Sequence, residues 1–183
     1  FKNILLFCIM FFITQGQDFG QMGQDFGKNI VQYSKFDWHY IQTEHFDIYY
    51  YDSAIDQAEF VAYNAEQAYQ KIEVLVGWGL KDRRSIIIYN SHNEFQETNI
   101  IPFYMEEGIL GVTELGKNRM LIPYDGSLKE FKHVIYHELV HVFINDGIYG
   151  GSILAAIKNR IMIPSWMNEG LAEYLADDWG TNS

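Results

Sequence analysis

The chain predicts an α+β fold, and three observations carry that reading. Short aromatic or β-branched runs lie between turn residues at Phe46 to Tyr51, at Ser85 to Tyr89 and within residues 108 to 123, as strands do. Ser53 to Val76 sets Ala58, Ala62, Ala65, Ala68, Tyr69, Ile72 and Leu75 at helical spacing. The apolar segments after residue 126 are long and carry helix caps. The order is therefore strand, helix, strand, two further strands, then helices.

Phe46 to Tyr51 is aromatic-rich, and its tyrosines 49, 50 and 51 read as core and cross-strand packing rather than as a stacking surface for a ligand. The helix of residues 53 to 76 leads to Ser85 to Tyr89, a short buried strand. Asn90 to Glu97 is polar and reads as a loop opening a short helix, without chemistry of its own. Gly108 to Leu115 and Lys117 to Pro123 read as two strands joined at Gly116-Lys117-Asn118, with Gly111 to Leu115 as the sheet edge. Ser127-Leu128-Lys129-Glu130 is a capping box opening a helix apolar on nearly every side, which Asn145-Asp146-Gly147 stops. Pro164 and Ser165 open a second helix, closed at Gly180.

The first of these helices carries His137-Glu138-Leu139-Val140-His141. Histidines at i and i+4 lie one above the other, so both imidazoles can reach one metal ion while Glu138 sits beside them. With 6 His in the chain, composition alone produces such a pentapeptide in about one chain per hundred, so context has to decide. The context is a core helix, where three ionisable groups are costly to bury and a divalent cation satisfies all of them. Two imidazoles leave a catalytic zinc short of a ligand, because such sites take three protein ligands and keep one position for water. Glu169 is the candidate third ligand, and Glu173, one turn on, is placed to accept the second ring N–H of a ligating histidine. Gly170 between them reads as a point of close helix approach. His133 precedes His137 by another turn, but three histidines spanning about 12 Å along a helix cannot share one ion, so it reads as packing or an outer hydrogen bond.

His137-Glu138-x-x-His141 together with Asn168-Glu169-Gly170-x-Ala172-Glu173-Tyr174 resembles the gluzincin metallopeptidases, the group that includes thermolysin and the aminopeptidase N-like enzymes. Tyr89-Asn90-Ser91-His92-Asn93-Glu94-Phe95 and Gly111-Val112-Thr113-Glu114-Leu115 look like a subgroup of secreted bacterial proteins in which a peptidase-like domain precedes a TolB-like β-propeller. The resemblance spans roughly residues 38 to 179. It implies a zincin-like domain, with a small mixed sheet, an edge strand beside the active-site helix and a helical lobe after it. It implies one zinc per chain on His137, His141 and Glu169, Glu138 as general base and Glu173 behind the ligands. The peptide substrate would lie along the edge strand, at Gly111, Val112, Thr113 and Glu114, and a glutamate at the position of Glu114 holds the substrate amino terminus in aminopeptidases. Endopeptidase and aminopeptidase both stay open. The sequence departs from the family in the 27 residues between His141 and Glu169, more than in the best-known gluzincins, so a segment around Ser152 to Ile161 has to be accommodated. The oxyanion donor is also open: Tyr149, Tyr174, a residue beyond this segment, or none.

Ile4 to Ile13 is an apolar block after Lys2, too short to span a bilayer, and Thr14-Gln15-Gly16 resembles a cleavage site. Residues 1–16 are read as a secretory signal whose start is truncated, 17–37 as a flexible leader with the short duplication Gln17-Asp18-Phe19-Gly20 and Gln24-Asp25-Phe26-Gly27, and 38–183 as a peptidase domain truncated at its C-terminus. A secreted or periplasmic location follows. The one cysteine, Cys8, falls in the signal, so no disulfide staples the mature chain. A net charge of -11 disfavours nucleic acid and anionic membrane as partners and suits a soluble surface. Three classes of function fit: an active zinc peptidase, a zinc-bound but inactive interaction or scaffold module beside a propeller, and a metal-free domain with a coincidental motif.

Overall fold

The computed structural model describes residues 35–52, 54–99, 109–114, 119–150 and 163–176. The expected signal and nearly all of the leader, the turn at residues 115–118, most of the segment before the second helix and Gly180 lie outside these residues. The elements in chain order are β1 (Trp38–Gln42), β2 (Phe46–Tyr51), α1 (Ile55–Val76), β3 (Arg84–Tyr89), α2 (His92–Gln96), β4 (Val112–Glu114), β5 (Arg119–Pro123), α3 (Leu128–Gly147) and α4 (Ser165–Ala176). The fold is α+β.

The strands form one mixed sheet in the order β1-β2-β3-β5-β4. β1 runs antiparallel to β2 and β4 antiparallel to β5, while β2, β3 and β5 are parallel. β1 was not expected from the sequence, which started the sheet at Phe46. Its residues are exposed except for Ile41, so the strand lacks the alternation that marks a half-buried one and is held by its pairing with β2. Phe36, in the expected leader, packs on Tyr51 with ring centroids 4.2 Å apart.

Alternation along the three central strands sorts the core into two faces. Phe46, Ile48, Ile86, Ile88, Met120 and Ile122 join one cluster with α1 and α3. The intervening Tyr51, Ile87, Tyr89 and Leu121 form a second cluster with Phe95 of α2. Each isoleucine in the first cluster is essentially removed from water, worth about 1.5–3 kcal/mol per side chain. The tyrosines of β2 thus serve packing, and Tyr51 also donates its hydroxyl to Glu94 at 2.8 Å.

α3 starts where the capping box places it, with Ser127 Oγ accepting from the backbone N–H of Glu130. Its C-terminal end is pinned to the sheet by Asp146, 2 % exposed, which pairs with Arg84 at the start of β3 and accepts the backbone N–H of Lys81 at 3.0 Å. That anchor fixes the rotation and depth of the helix on the sheet. Among the described residues no helix is long and apolar enough to cross a membrane.

Candidate metal centre

α3 buries Ile135, Leu139, Val142 and Phe143 in the main core, and the 100° step per residue turns His137 and His141 toward α4. α4 is held by Ala172 and Leu175, both buried in that core. Glu169 and Glu173 ride beside this stripe one turn apart and meet the histidines of α3 at the rim.

Three atoms converge there. His137 Nε2 lies 3.2 Å from His141 Nε2, and Glu169 Oε2 lies 3.3 Å from the first and 3.5 Å from the second. Glu173 Oε2 stands 3.3 Å from His137 Nδ1. The His137 tautomer protonated at Nδ1 faces that proton toward Glu173 and an Nε2 lone pair toward the other two atoms. Burial lowers the proton affinity of His141, Glu169 raises it, and His137 lowers it again, leaving a net depression that keeps this imidazole neutral at neutral pH. The separations among the three atoms are those of hydrogen-bond contacts within a His–His–Glu cluster, and they also suit three ligand atoms gathered on one cation. A tetrahedral ion with bonds of about 2.0–2.1 Å holds its ligand atoms about 3.3–3.4 Å apart, a spacing close to that of this triangle. Two imidazoles and one carboxylate are also a donor set of catalytic zinc.

Behind the triangle, His141 Nδ1 and Asn168 Oδ1 are both buried without a completed hydrogen bond. The Asn168 side chain nevertheless lies close enough to raise the proton affinity of His141. Asn168 was part of the sequence motif but had no role assigned to it. Its signal is its position one residue before Glu169. His133 forms a second grouping with His137 and Glu173, its Nε2 3.4 Å from Glu173 Oε2, so it supports the support and stays off the main triangle.

Glu138 points away from solvent, 7 % exposed. Burial pushes its carboxyl up to about 7, opposed by a hydrogen bond from Thr113 and reinforced by the charge of Glu169. The Thr113 hydroxyl lies 2.8 Å from Glu138 Oε2 and 3.1 Å from the Glu138 backbone oxygen. At Gly111, a Cβ would stand 2.8 Å from Glu138 Cγ and 2.9 Å from Val134 Cγ1, so only glycine lets the strand come this near the helix. β4 is thus an edge strand laid against α3.

These groups line a cleft of about 590 Å³. Ile109, Leu110, Val112 and Val134 supply its apolar wall, and Asn145, 4 % exposed and one turn beyond His141, its far end. Asn145 went unread in the sequence, where only its spacing from His141 could have drawn notice. Glu114 does not line the cleft: both Nε and Nη2 of Arg119 reach its Oε2 at 2.6 Å, across the β4/β5 register. The carboxylate expected to bind a substrate amine is thus paired with Arg119. Tyr149 and Tyr174 are likewise absent from the cleft wall, and the Tyr149 hydroxyl accepts the backbone N–H of Ile163 at 2.9 Å. Gly170 is not the expected point of close helix approach: a side chain there would meet nothing within 4 Å, because the inner stripe of α4 runs through Ala172 and Leu175.

No family model, no curated protein and no solved structure matches this chain. The gluzincin resemblance stands on the motif residues alone.

Proposed function

We propose that this protein is a zinc-dependent peptidase, with His137, His141 and Glu169 holding the metal, Glu138 as general base and Glu173 orienting His137. The observation that carries this reading is the triangle of lone-pair atoms, 3.2 to 3.5 Å on a side, with a buried carboxylate on the same helix. Bound there, zinc supplies Lewis acidity, polarising a carbonyl and making water acidic enough to lose a proton near neutrality.

The chain's own residues do the rest. Glu138 takes a proton from the attacking water as the C–O bond forms, and gives it to the amine nitrogen as the C–N bond breaks. Its buried environment, which raises it to about 7, suits a group that must both accept and release a proton. An extended peptide lies along the outer edge of β4, bonded to that strand's backbone, with apolar side chains against Leu110 and Val112. The apolar block of residues 4–13 extends the proposal to an extracytoplasmic location.

The test is Glu138→Gln. Cleavage of a mixed peptide substrate should fall by at least about a hundredfold with zinc content unchanged. Retained cleavage sinks the proposal. A second reading, a zinc-bound but inactive scaffold module, is favoured by one observation: among the described residues no tyrosine lines the cleft to stabilise an oxyanion. In that case the wild-type protein holds zinc and cleaves nothing.

A further inference from the structure

We propose that Thr113 is the positioning residue for Glu138, holding the general base in place from the neighbouring sheet edge. Its kinetic consequence rests on the peptidase reading above; its structural consequence does not.

A glutamate on the metal helix has three rotatable bonds and sits between the two histidines in sequence. Left untethered, its carboxylate can swing onto the cation and fill the position that water needs. Packing by apolar neighbours cannot prevent this, because it restricts shape without choosing which oxygen faces which way. The Thr113 hydroxyl does choose: it donates to Oε2 at 2.8 Å. Gly111, two residues before Thr113 on the same segment, comes so close that a Cβ there would stand 3.0 Å from Oε1. The glycine keeps a side chain off Oε1. Thr113 thus holds one oxygen, and the glycine leaves the other uncrowded.

The hydroxyl also has a second acceptor, the Glu138 backbone oxygen at 3.1 Å. The strand that carries Thr113 is itself fixed by its register with β5, Thr113 opposite Met120, and by the Glu114–Arg119 pair. The sequence reading gave Thr113 to the substrate; the geometry points to the base.

The test uses Thr113→Val, which keeps the shape and removes the hydroxyl, and Thr113→Ser, which keeps the hydroxyl. For the valine variant kcat should fall about ten- to a hundredfold, with KM within about twofold and zinc content unchanged. The serine variant should recover most of the loss. A purely structural role would lower melting temperature and zinc content together and would not separate kcat from KM. A valine variant within about twofold of wild-type kcat, or a loss that serine does not restore, overturns the proposal. Crystal structures of wild type and Thr113→Val give a readout independent of activity. Relocation of the Glu138 carboxylate in the variant supports the proposal, and an unmoved carboxylate overturns it. If the wild-type protein cleaves no peptide, the peptidase reading fails, and the two crystal structures still decide the positioning role.

Discussion

Replacing Gly111 by alanine probes the closest approach in the site. The added Cβ would stand 2.8 Å from Glu138 Cγ, 2.9 Å from Val134 Cγ1 and 3.0 Å from Glu138 Oε1. Carbon atoms in good contact are about 3.5–4.0 Å apart, so one side has to yield by several tenths of an ångström or more. Glu138 Cγ is close to its own helix backbone and cannot swing aside without moving the carboxylate. Val134 is 8 % exposed, and its room is set by the core. Overpacking of this kind costs about 1–3 kcal/mol, and in a chain of this length each kcal/mol lowers Tm by roughly 2–4 °C. The assay is thermal denaturation of wild type and Gly111→Ala, followed by kcat and KM. The expected result is a drop of several degrees, with kcat reduced because the base has moved and KM changed less. A variant that melts within about 1 °C of wild type would show that β4 does not approach α3 as described.

Other outcomes follow from the anchors around the site. Asp146→Ala leaves Arg84 charged and largely buried, and removes the acceptor for Lys81 N–H. Breaking a buried pair from one side costs about 3–5 kcal/mol, so urea denaturation should show that loss. Arg84→Met with Asp146→Leu together should cost less than Asp146→Ala alone, and an equal or larger loss would contradict the burial argument. Glu66 accepts from the ring and the backbone of His45 at 2.7 and 2.9 Å. Burial raises its carboxyl, but the hydrogen bonds from Thr43 and His45 outweigh it, and the net shift is downward from 4.5. The folded state therefore binds fewer protons at Glu66 than the unfolded state between the two values. Its contribution is present above the ordinary carboxyl value and is lost as pH falls through the folded one. Wild type should be more stable than Glu66→Gln at neutral pH, with the gap closing as pH falls below the ordinary carboxyl range; a pH-independent gap would contradict this.

The parts legible in the sequence are those set by local spacing. α3 was readable because Ser127 caps it and because a histidine repeat of four keeps one face on any helix. Glu169 and Glu173 were readable for the same reason, one turn apart behind Pro164. What escaped depends on register and rotation. Whether Glu114 faces substrate or Arg119 is decided by which residue of β5 stands opposite, and here that is Arg119 itself. Gly170 was misplaced because the buried stripe of α4 passes through Ala172, about 200° around the helix from it. β1 escaped because its pairing, not its apolar pattern, makes it a strand. Thr113 on Glu138 is a contact between residues 25 apart, set only when β4 lies against α3.

The central claim is that His137, His141 and Glu169 hold a metal ion. Its most direct test is zinc stoichiometry by elemental analysis of the purified protein, with His137→Ala and Glu169→Ala alongside. About one zinc per chain, lost with His137→Ala and weakened at least about tenfold in affinity with Glu169→Ala, is the expected result. A folded wild-type protein that takes up no zinc would contradict the account, and zinc held at full affinity by Glu169→Ala would contradict the assignment of the third ligand.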